Sequence, residues 1–178
     1  PSVGWLRTEK KLLLDNFKKI QFKNINFKYE EKKENIISNI SFDIKKNQIL
    51  GINGKSGSGK TTILNIISGL LKLNSGEIFI DDSPVKYHQE FLQNNIGYVP
   101  QRICLFDDTI KNNIAFGEKG LFIDDNKVLD LIKNVQLNDL IKDSNKGLDT
   151  NIGEFGDKLS GGQIQRIGLA RALYFSPK

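Results

Sequence analysis

Cysteine is nearly absent from this sequence. Cys104 is the only one in 178 residues, so no disulfide can close within the chain, and a reducing compartment is expected. Histidine is equally scarce. His88 has no second histidine and no cysteine cluster beside it to complete a metal site, and it reads as a surface or turn residue. No apolar run reaches the about 18 residues that a membrane span needs, and no basic-then-apolar leader opens the chain. A soluble, intracellular chain is expected. Internal repeats and long low-complexity segments are missing too. Basic residues are in modest excess, with 26 Lys and Arg against 21 Asp and Glu, a net charge of +5. Such a surplus can serve a nucleic acid or an anionic membrane, or it can belong to lysine-rich solvated faces. No tight basic cluster is interleaved with aromatics, which favours the second reading and argues against a nucleic-acid partner.

What is present describes one domain with its own core: hydrophobic residues are 38% and charged residues 26% of the chain. Residues 1–11, including Trp5, show no periodicity and read as a linker remnant or a cloning scar, which extends in the domain assignment to residue 15. Ile20 and Phe22, then Ile25, Phe27 and Tyr29, alternate as in a strand; after a charged turn, Ile40, Phe42 and Ile44 do so again. These runs predict two antiparallel strands. Gln48, Ile49, Leu50, Gly51 and Ile52 read as a further strand, as do Glu77, Ile78, Phe79 and Ile80, and a short one over residues 96–100. Val128, Leu131, Ile132 and Val135 recur at helical spacing, with Asp125 or Asn126 as the expected cap, and residues 137–141 suggest a second short helix. Ser160 is placed as the N-cap of the last helix, whose buried side would hold Ile164, Ile167 and Leu173.

Two stretches carry chemistry. The first is Gly54-Lys55-Ser56-Gly57-Ser58-Gly59-Lys60-Thr61-Thr62, which fits GxxxxGK(S/T) between a strand-like segment and a helix start. Glycines let the backbone curl so that successive N–H groups point at one phosphate chain, and the helix N-terminus adds unpaired donors and partial positive charge. Lys60 is suited to the β- and γ-phosphates and the Thr61 hydroxyl to Mg²⁺. A nucleoside triphosphate is the expected ligand. The second stretch is Leu159-Ser160-Gly161-Gly162-Gln163 with Gln165 and Arg166 following, a serine cap and two glycines opening a helix. Alone it could be an ordinary capped helix; downstream of the first motif it forms a second anion site.

With both motifs in place, the sequence from about residue 17 onward resembles the nucleotide-binding domain of ATP-binding-cassette (ABC) transporters, whose signature is LSGGQ. The resemblance implies an α/β fold of the P-loop NTPase type. A parallel sheet core would carry an N-terminal antiparallel β subdomain and an inserted helical subdomain, with the C-terminal part missing. Residues 16–100 would form the β subdomain and phosphate-loop core, and residues 101–170 the helical subdomain with the signature. Tyr29 matches the position of an aromatic ring that stacks on adenine. Gln101, after Tyr98, Val99 and Pro100, matches the family's Q-loop, where a glutamine ligates Mg²⁺ or orients water; with Lys60 it forms the implied catalytic set. Two stretches resemble the exporter class: Leu105-Phe106-Asp107-Asp108-Thr109-Ile110 through Asn113, Ile114 and Gly117, and Thr150-Asn151-Ile152-Gly153-Glu154-Phe155-Gly156. In the latter Glu154 is the residue implied to contact the membrane domain, and Phe155 stands where the pattern commonly has a basic residue.

The resemblance also implies ATP and Mg²⁺ as cofactors, a second nucleotide-binding domain in a head-to-tail dimer, a transmembrane domain as partner, and a place at the cytoplasmic face of the membrane. Lys60 and Thr61 would hold one side of the triphosphate. Ser160, Gly161, Gly162 and Gln163 would face ATP bound by the partner. One departure is large. After Ala170, Arg171, Ala172 and Leu173 the family continues into a strand ending in aspartate and glutamate, and later to a γ-phosphate-sensing histidine; this sequence contains neither. The expectation is a truncated domain that binds ATP at most, within a parent ATPase that exports or flips a substrate. A soluble ABC-type ATPase acting on DNA or ribosomes is the alternative; a P-loop kinase or GTPase would not need residues 159–163.

Overall fold

The computed structural model describes residues 17–85, 88–118, 122–142 and 145–178, His88 by its backbone alone. The readings of residues 1–15, of Trp5 and of the His88 side chain lie outside the described residues. The chain divides into two compact units, Pro1–Ile96 with Lys178, and Gly97–Pro177.

In the first unit β1 (Lys19–Phe27), β2 (Ile37–Lys45), β3 (Ser75–Ile80) and β4 (Ser83–Pro84) form one sheet in the order β2-β1-β3-β4, every pair antiparallel. The apolar phase of β1 changes midway, from Ile20 and Phe22 to Ile25 and Phe27. A strand can bury both sets on one face only if an extra residue is inserted between them. The register shows where. Phe22 pairs with Phe42 and Ile25 with Ile40, three steps on β1 against two on β2; then Ile25–Ile40 gives way to Phe27–Ile37, two against three. Asn24 (φ 51°) and Asn39 (φ 50°) take the left-handed backbone that each bulge requires. Asn26 secures the site: its Nδ2 donates to the Asn24 carbonyl (2.9 Å), and its Oδ1 accepts from Asn39 N (2.8 Å). On the other side of β1, Gly76 lies so close that a Cβ would sit 2.8 Å from the Asn24 carbonyl oxygen. Phe22, Ile25, Phe27, Ile37 and Ile78 are buried, with Phe22 stacked on Phe42 at 4.6 Å.

Helix α1 (Lys60–Ile67) lays Thr62 and Ile66 inward and is stopped by Gly69 at φ 73°, as its sequence position predicts. Helix α2 (His88–Asn95) buries Phe91 and Leu92. The sequence carries little sign of α2, because its other positions are polar and no cap residue precedes it.

The expected strands over residues 48–52 and 96–100 are not formed, and no parallel pair occurs among the described residues. Ile49 is 98% exposed. An extended segment becomes a strand only where a neighbour accepts and donates its backbone hydrogen bonds, and no described segment does so for these two. The fold is α/β, with its sheet antiparallel throughout the described residues.

The second unit is helical: α3 (Ile110–Ile114), α4 (Asp125–Asn134), α5 (Asn138–Lys142) and α6 (Gly161–Tyr174), with 3₁₀ turns at Gly147–Asp149 and Glu154–Gly156. Its core gathers Leu105, Ile110, Ile114, Val128, Ile132 and Ile167. Two sequence readings need correction here. The cap of α4 is Asp124, not Asp125 or Asn126; its Oδ1 accepts from Asn126 N (3.0 Å) and Lys127 N (3.1 Å), one position earlier than the apolar spacing suggests. On α6 Ile167, Ala170 and Tyr174 are buried, Ile164 is half-buried, and Leu173 is exposed. Six residues beyond Ile167 is about 240° around the helix, so Leu173 points away, whereas seven residues returns Tyr174 to the buried side.

Candidate functional site: a phosphate loop and a capped glycine pair

Residues 54–59 lead into α1 as a loop in which Gly57 (φ 78°) and Gly59 (φ 89°) take the left-handed backbone. Gly59 is the N-cap at φ 89°, and a Cβ there would stand 2.8 Å from Ile37 Cδ1. Ile63 N closes onto Gly59 O at 2.9 Å, while the amides of Lys60, Thr61 and Thr62 have no acceptor among the described residues. First-turn amides of a helix are such free donors by construction. The Lys60 side chain folds back over the loop and donates from Nζ to Gly54 O (2.8 Å) and Lys55 O (2.7 Å). One cation, three free amides and the exposed Thr61 hydroxyl thus share one end of α1. This donor set suits a chain of phosphates, and the hydroxyl at the second helical position suits a hard cation bound with them. Lys55, Ser56, Gly57 and Ser58 are exposed around it.

Tyr29 lies at the same end. Its hydroxyl is 3.4 Å from Thr62 Oγ1, its ring meets Phe27 edge-to-face at 4.9 Å, and 39% of it is open to solvent. The strand-end tyrosine and the phosphate loop, 33 positions apart, are therefore neighbours, which β1 secures by running beside β2 and Ile37.

Gln101 and residues 159–163 belong to the other unit and are described within it. Gln101 is exposed in a bend. Ser160 caps α6: its Oγ accepts from Gln163 N (3.3 Å), and Gln163 Oε1 accepts from Ser160 N (2.8 Å). The reciprocal pair holds the helix start open. Gly161 and Gly162 are exposed, and a Cβ on either would touch nothing within 4 Å; here the glycines leave the backbone bare. Ser160→Ala is expected to destabilise α6 by about 1 kcal/mol, read as earlier thermal unfolding of the helical signal.

The two stretches that resemble the exporter class meet. Thr109 and Asn151 form an isolated antiparallel bridge, with Ile110 N donating to Thr150 O (3.0 Å) and Ile152 N to Asp108 O (3.1 Å). Lys111 reinforces the junction with a 2.8 Å ion pair to Asp149, and that hydrogen bond raises the lysine above its ordinary pKa. A raised lysine contributes fully below its unfolded value and loses the contribution only as pH climbs through the folded one, so the pair persists across the neutral range. Glu154 is exposed on the following 3₁₀ turn, and Phe155 beside it is 75% exposed at φ 55°.

Sequence reasoning missed one cluster. Asn113 is 1% exposed; its Oδ1 accepts from Phe106 N (3.0 Å), and its Nδ2 donates to Phe106 O (3.0 Å) and Thr109 O (3.1 Å). Arg171 reaches it from α6, donating to Asn113 O (2.8 Å), Asn113 Oδ1 (3.2 Å) and Cys104 O (2.8 Å), with its guanidinium 5.3 Å from the Phe116 ring centre. Burial pushes the guanidinium pKa down. The sequence signals were an arginine set among apolar residues of a helix and the place of Asn113 in the exporter-like stretch, and neither pairs the two.

Among the described residues no helix is long and apolar enough to cross a membrane. The family model described as "ABC transporter" matches residues 37–178. An ATP-dependent lipid A-core flippase of Coxiella burnetii is 42% identical over 156 residues, covering 87% of this chain and 26% of that protein. An uncharacterized ABC transporter ATP-binding protein of Bacillus subtilis, YfiB, is 41% identical over 160 residues, covering 89% and 28%. Among solved structures, a bacterial Atm1-family ABC exporter with ATP bound shares the fold at a TM-score of 0.76 and 35% identity, over 91% of this chain and 28% of that one. The chain thus spans little more than a quarter of the relatives it matches. The chain belongs to the ABC transporter family.

Proposed function

We propose that this chain binds Mg²⁺-ATP at the end of α1 and that, within a longer protein, it drives export or flipping of a substrate across a membrane. The observation that carries the reading is the joining of Lys60 Nζ, free first-turn amides and the Thr61 hydroxyl at one helix end, beside the open face of Tyr29. Lys60 exchanges its two loop carbonyls for β- and γ-phosphate oxygens. Gly54 to Gly59 supply the bare backbone around them through Lys55, Ser56, Gly57 and Ser58, and Thr62 braces Tyr29 from below. Tyr29 stacks on the adenine. The Thr61 hydroxyl would hold Mg²⁺, which would supply charge neutralisation along the phosphates when bound, and Gln101 keeps the metal-ligating role that the family resemblance implies. Ser160, Gly161 and Gly162, with Gln163 fixing the cap, offer donors to ATP held by a second nucleotide-binding domain in a head-to-tail dimer. Glu154 and the bridged stretches around it form the contact to a transmembrane domain, placing the chain at the cytoplasmic face.

The test is titration with a fluorescent ATP analogue, with and without Mg²⁺. Saturable binding is expected. Tyr29→Ala should weaken it about tenfold through lost stacking, whereas Tyr29→Phe, which keeps the ring, should stay within about twofold. A chain that is folded by circular dichroism and binds no nucleotide would overturn the reading. Equal affinity of the alanine variant would remove Tyr29 from the site.

A further inference from the structure

We propose that Asn53, at the threshold of the phosphate loop, is a deamidation site whose conversion to aspartate or isoaspartate switches the loop to a weaker nucleotide-binding form. Its effect on nucleotide rests on the binding function proposed above; the chemistry at Asn53 does not.

Asn53-Gly54 is the only Asn-Gly pair in the sequence. The reaction needs the backbone nitrogen after the asparagine to reach its side-chain amide carbon, and four features favour this here. The Asn53 side chain is folded onto that nitrogen, since Gly54 N donates to Asn53 Oδ1 at 2.8 Å. The amide carbon bonded to that oxygen is thereby held beside the attacking atom, with its carbonyl polarised. Gly54 has no side chain to obstruct ring closure. Both residues are exposed, and Asn53 lines an open hollow of about 260 Å³ with Phe42, Leu50 and Ile63, which admits water and hydroxide. Lys60 Nζ, 2.8 Å from Gly54 O, adds a cation that favours the deprotonated backbone amide.

Hydroxide takes the Gly54 amide proton, and the nitrogen bonds to Asn53 Cγ. The bond from Cγ to the side-chain nitrogen breaks, and ammonia leaves with a proton from water. Water then opens the cyclic imide on one side to give aspartate, or on the other to give isoaspartate. The sum is asparagine plus water giving acid plus ammonia, with no oxidant or reductant. Asn74, followed by Ser75, is an internal comparison: its Oδ1 accepts from Lys28 N at 2.6 Å and is tied to another segment.

The product carries an anion next to the loop that must accept a triphosphate, and isoaspartate also lengthens the backbone by one methylene. Like charge at that range weakens binding about tenfold.

The experiment incubates the full chain at neutral and mildly alkaline pH and follows each asparagine by peptide mass and isoaspartyl methylation. Conversion is expected first at Asn53, faster at the higher pH, and lost in Asn53→Gln, whose longer side chain closes a ring slowly. Conversion at Asn53 no faster than at Asn74 would overturn the site. In parallel, Asn53→Asp is titrated with the fluorescent ATP analogue. About tenfold weaker binding than the unaltered chain supports the switch, and equal affinity overturns it. An unaltered chain that binds no nucleotide yet converts at Asn53 would defeat the proposed function and leave the modification site standing.

Discussion

Lys60→Ala is expected to weaken nucleotide binding by more than about 100-fold while leaving the folded chain almost as stable as before. The two effects separate because the ammonium has different partners in the two states. Without ligand it donates to Gly54 O and Lys55 O, both in an exposed loop. Those carbonyls turn to water when the side chain is removed, at a cost of about 1 kcal/mol or less. With the proposed ligand, the same cation would meet phosphate oxygens, and charge-assisted bonds of this kind are worth about 3 kcal/mol, which corresponds to the stated loss of affinity. Titration with a fluorescent ATP analogue beside a thermal unfolding curve measures both. A variant that binds normally would show that the helix end, not the lysine, carries the phosphate.

The second large effect lies in the helical unit. Asn113→Ala is expected to lower the stability of the helical unit by about 3 kcal/mol. Asn113 is almost fully buried; its side chain accepts from Phe106 N and Arg171 and donates to Phe106 O and Thr109 O. Alanine leaves the Phe106 N–H without its acceptor and takes one acceptor from Arg171, while Phe106 O keeps Asp108 N and Thr109 O keeps Asn113 N; a buried donor left unpaired costs more than its bond contributed. Arg171 then has only the Cys104 and Asn113 main-chain carbonyls to hold. Arg171→Lys should cost less, about 1 to 2 kcal/mol, because an ammonium cannot span the same acceptors as a planar fork. Urea unfolding followed by circular dichroism reads the loss, and hydrogen exchange in α3 should rise with it. An Asn113→Ala chain within about 1 kcal/mol of the original would mean that water replaces the amide.

The local geometry of the candidate site was largely legible in the sequence. Residues 54–62 and 159–163 announce themselves because each is one continuous turn, whose conformation depends on glycines, a serine cap and a lysine at fixed covalent spacing. The capping of α6 by Ser160 and the end of α1 at Gly69 were readable for the same reason: the groups that bond are within four residues of each other.

Where partners are distant in sequence, the chain alone was silent or misleading. Residues 48–52 have a strand's composition, yet a strand exists only if another segment offers its hydrogen-bond ladder. The break in alternation between Phe22 and Ile25 is visible in the sequence. Its meaning, a pair of offset bulges at Asn24 and Asn39 backed by Gly76, emerges only when β1, β2 and β3 align. Leu173 and Tyr174 are adjacent apolar candidates, and a helical turn's geometry against the core chose the tyrosine.

The sequence by itself determined the family and the local geometry of its two glycine-rich motifs, because backbone donors, a lysine and glycines act at a covalent spacing that the chain already encodes. Tertiary structure decided that Tyr29 stands over Thr62, that the two exporter-like stretches join at Thr109 and Asn151, and that Arg171 is anchored on Asn113. Each of these joins residues 30 or more positions apart, held by a few short bonds between groups that no local pattern brings together.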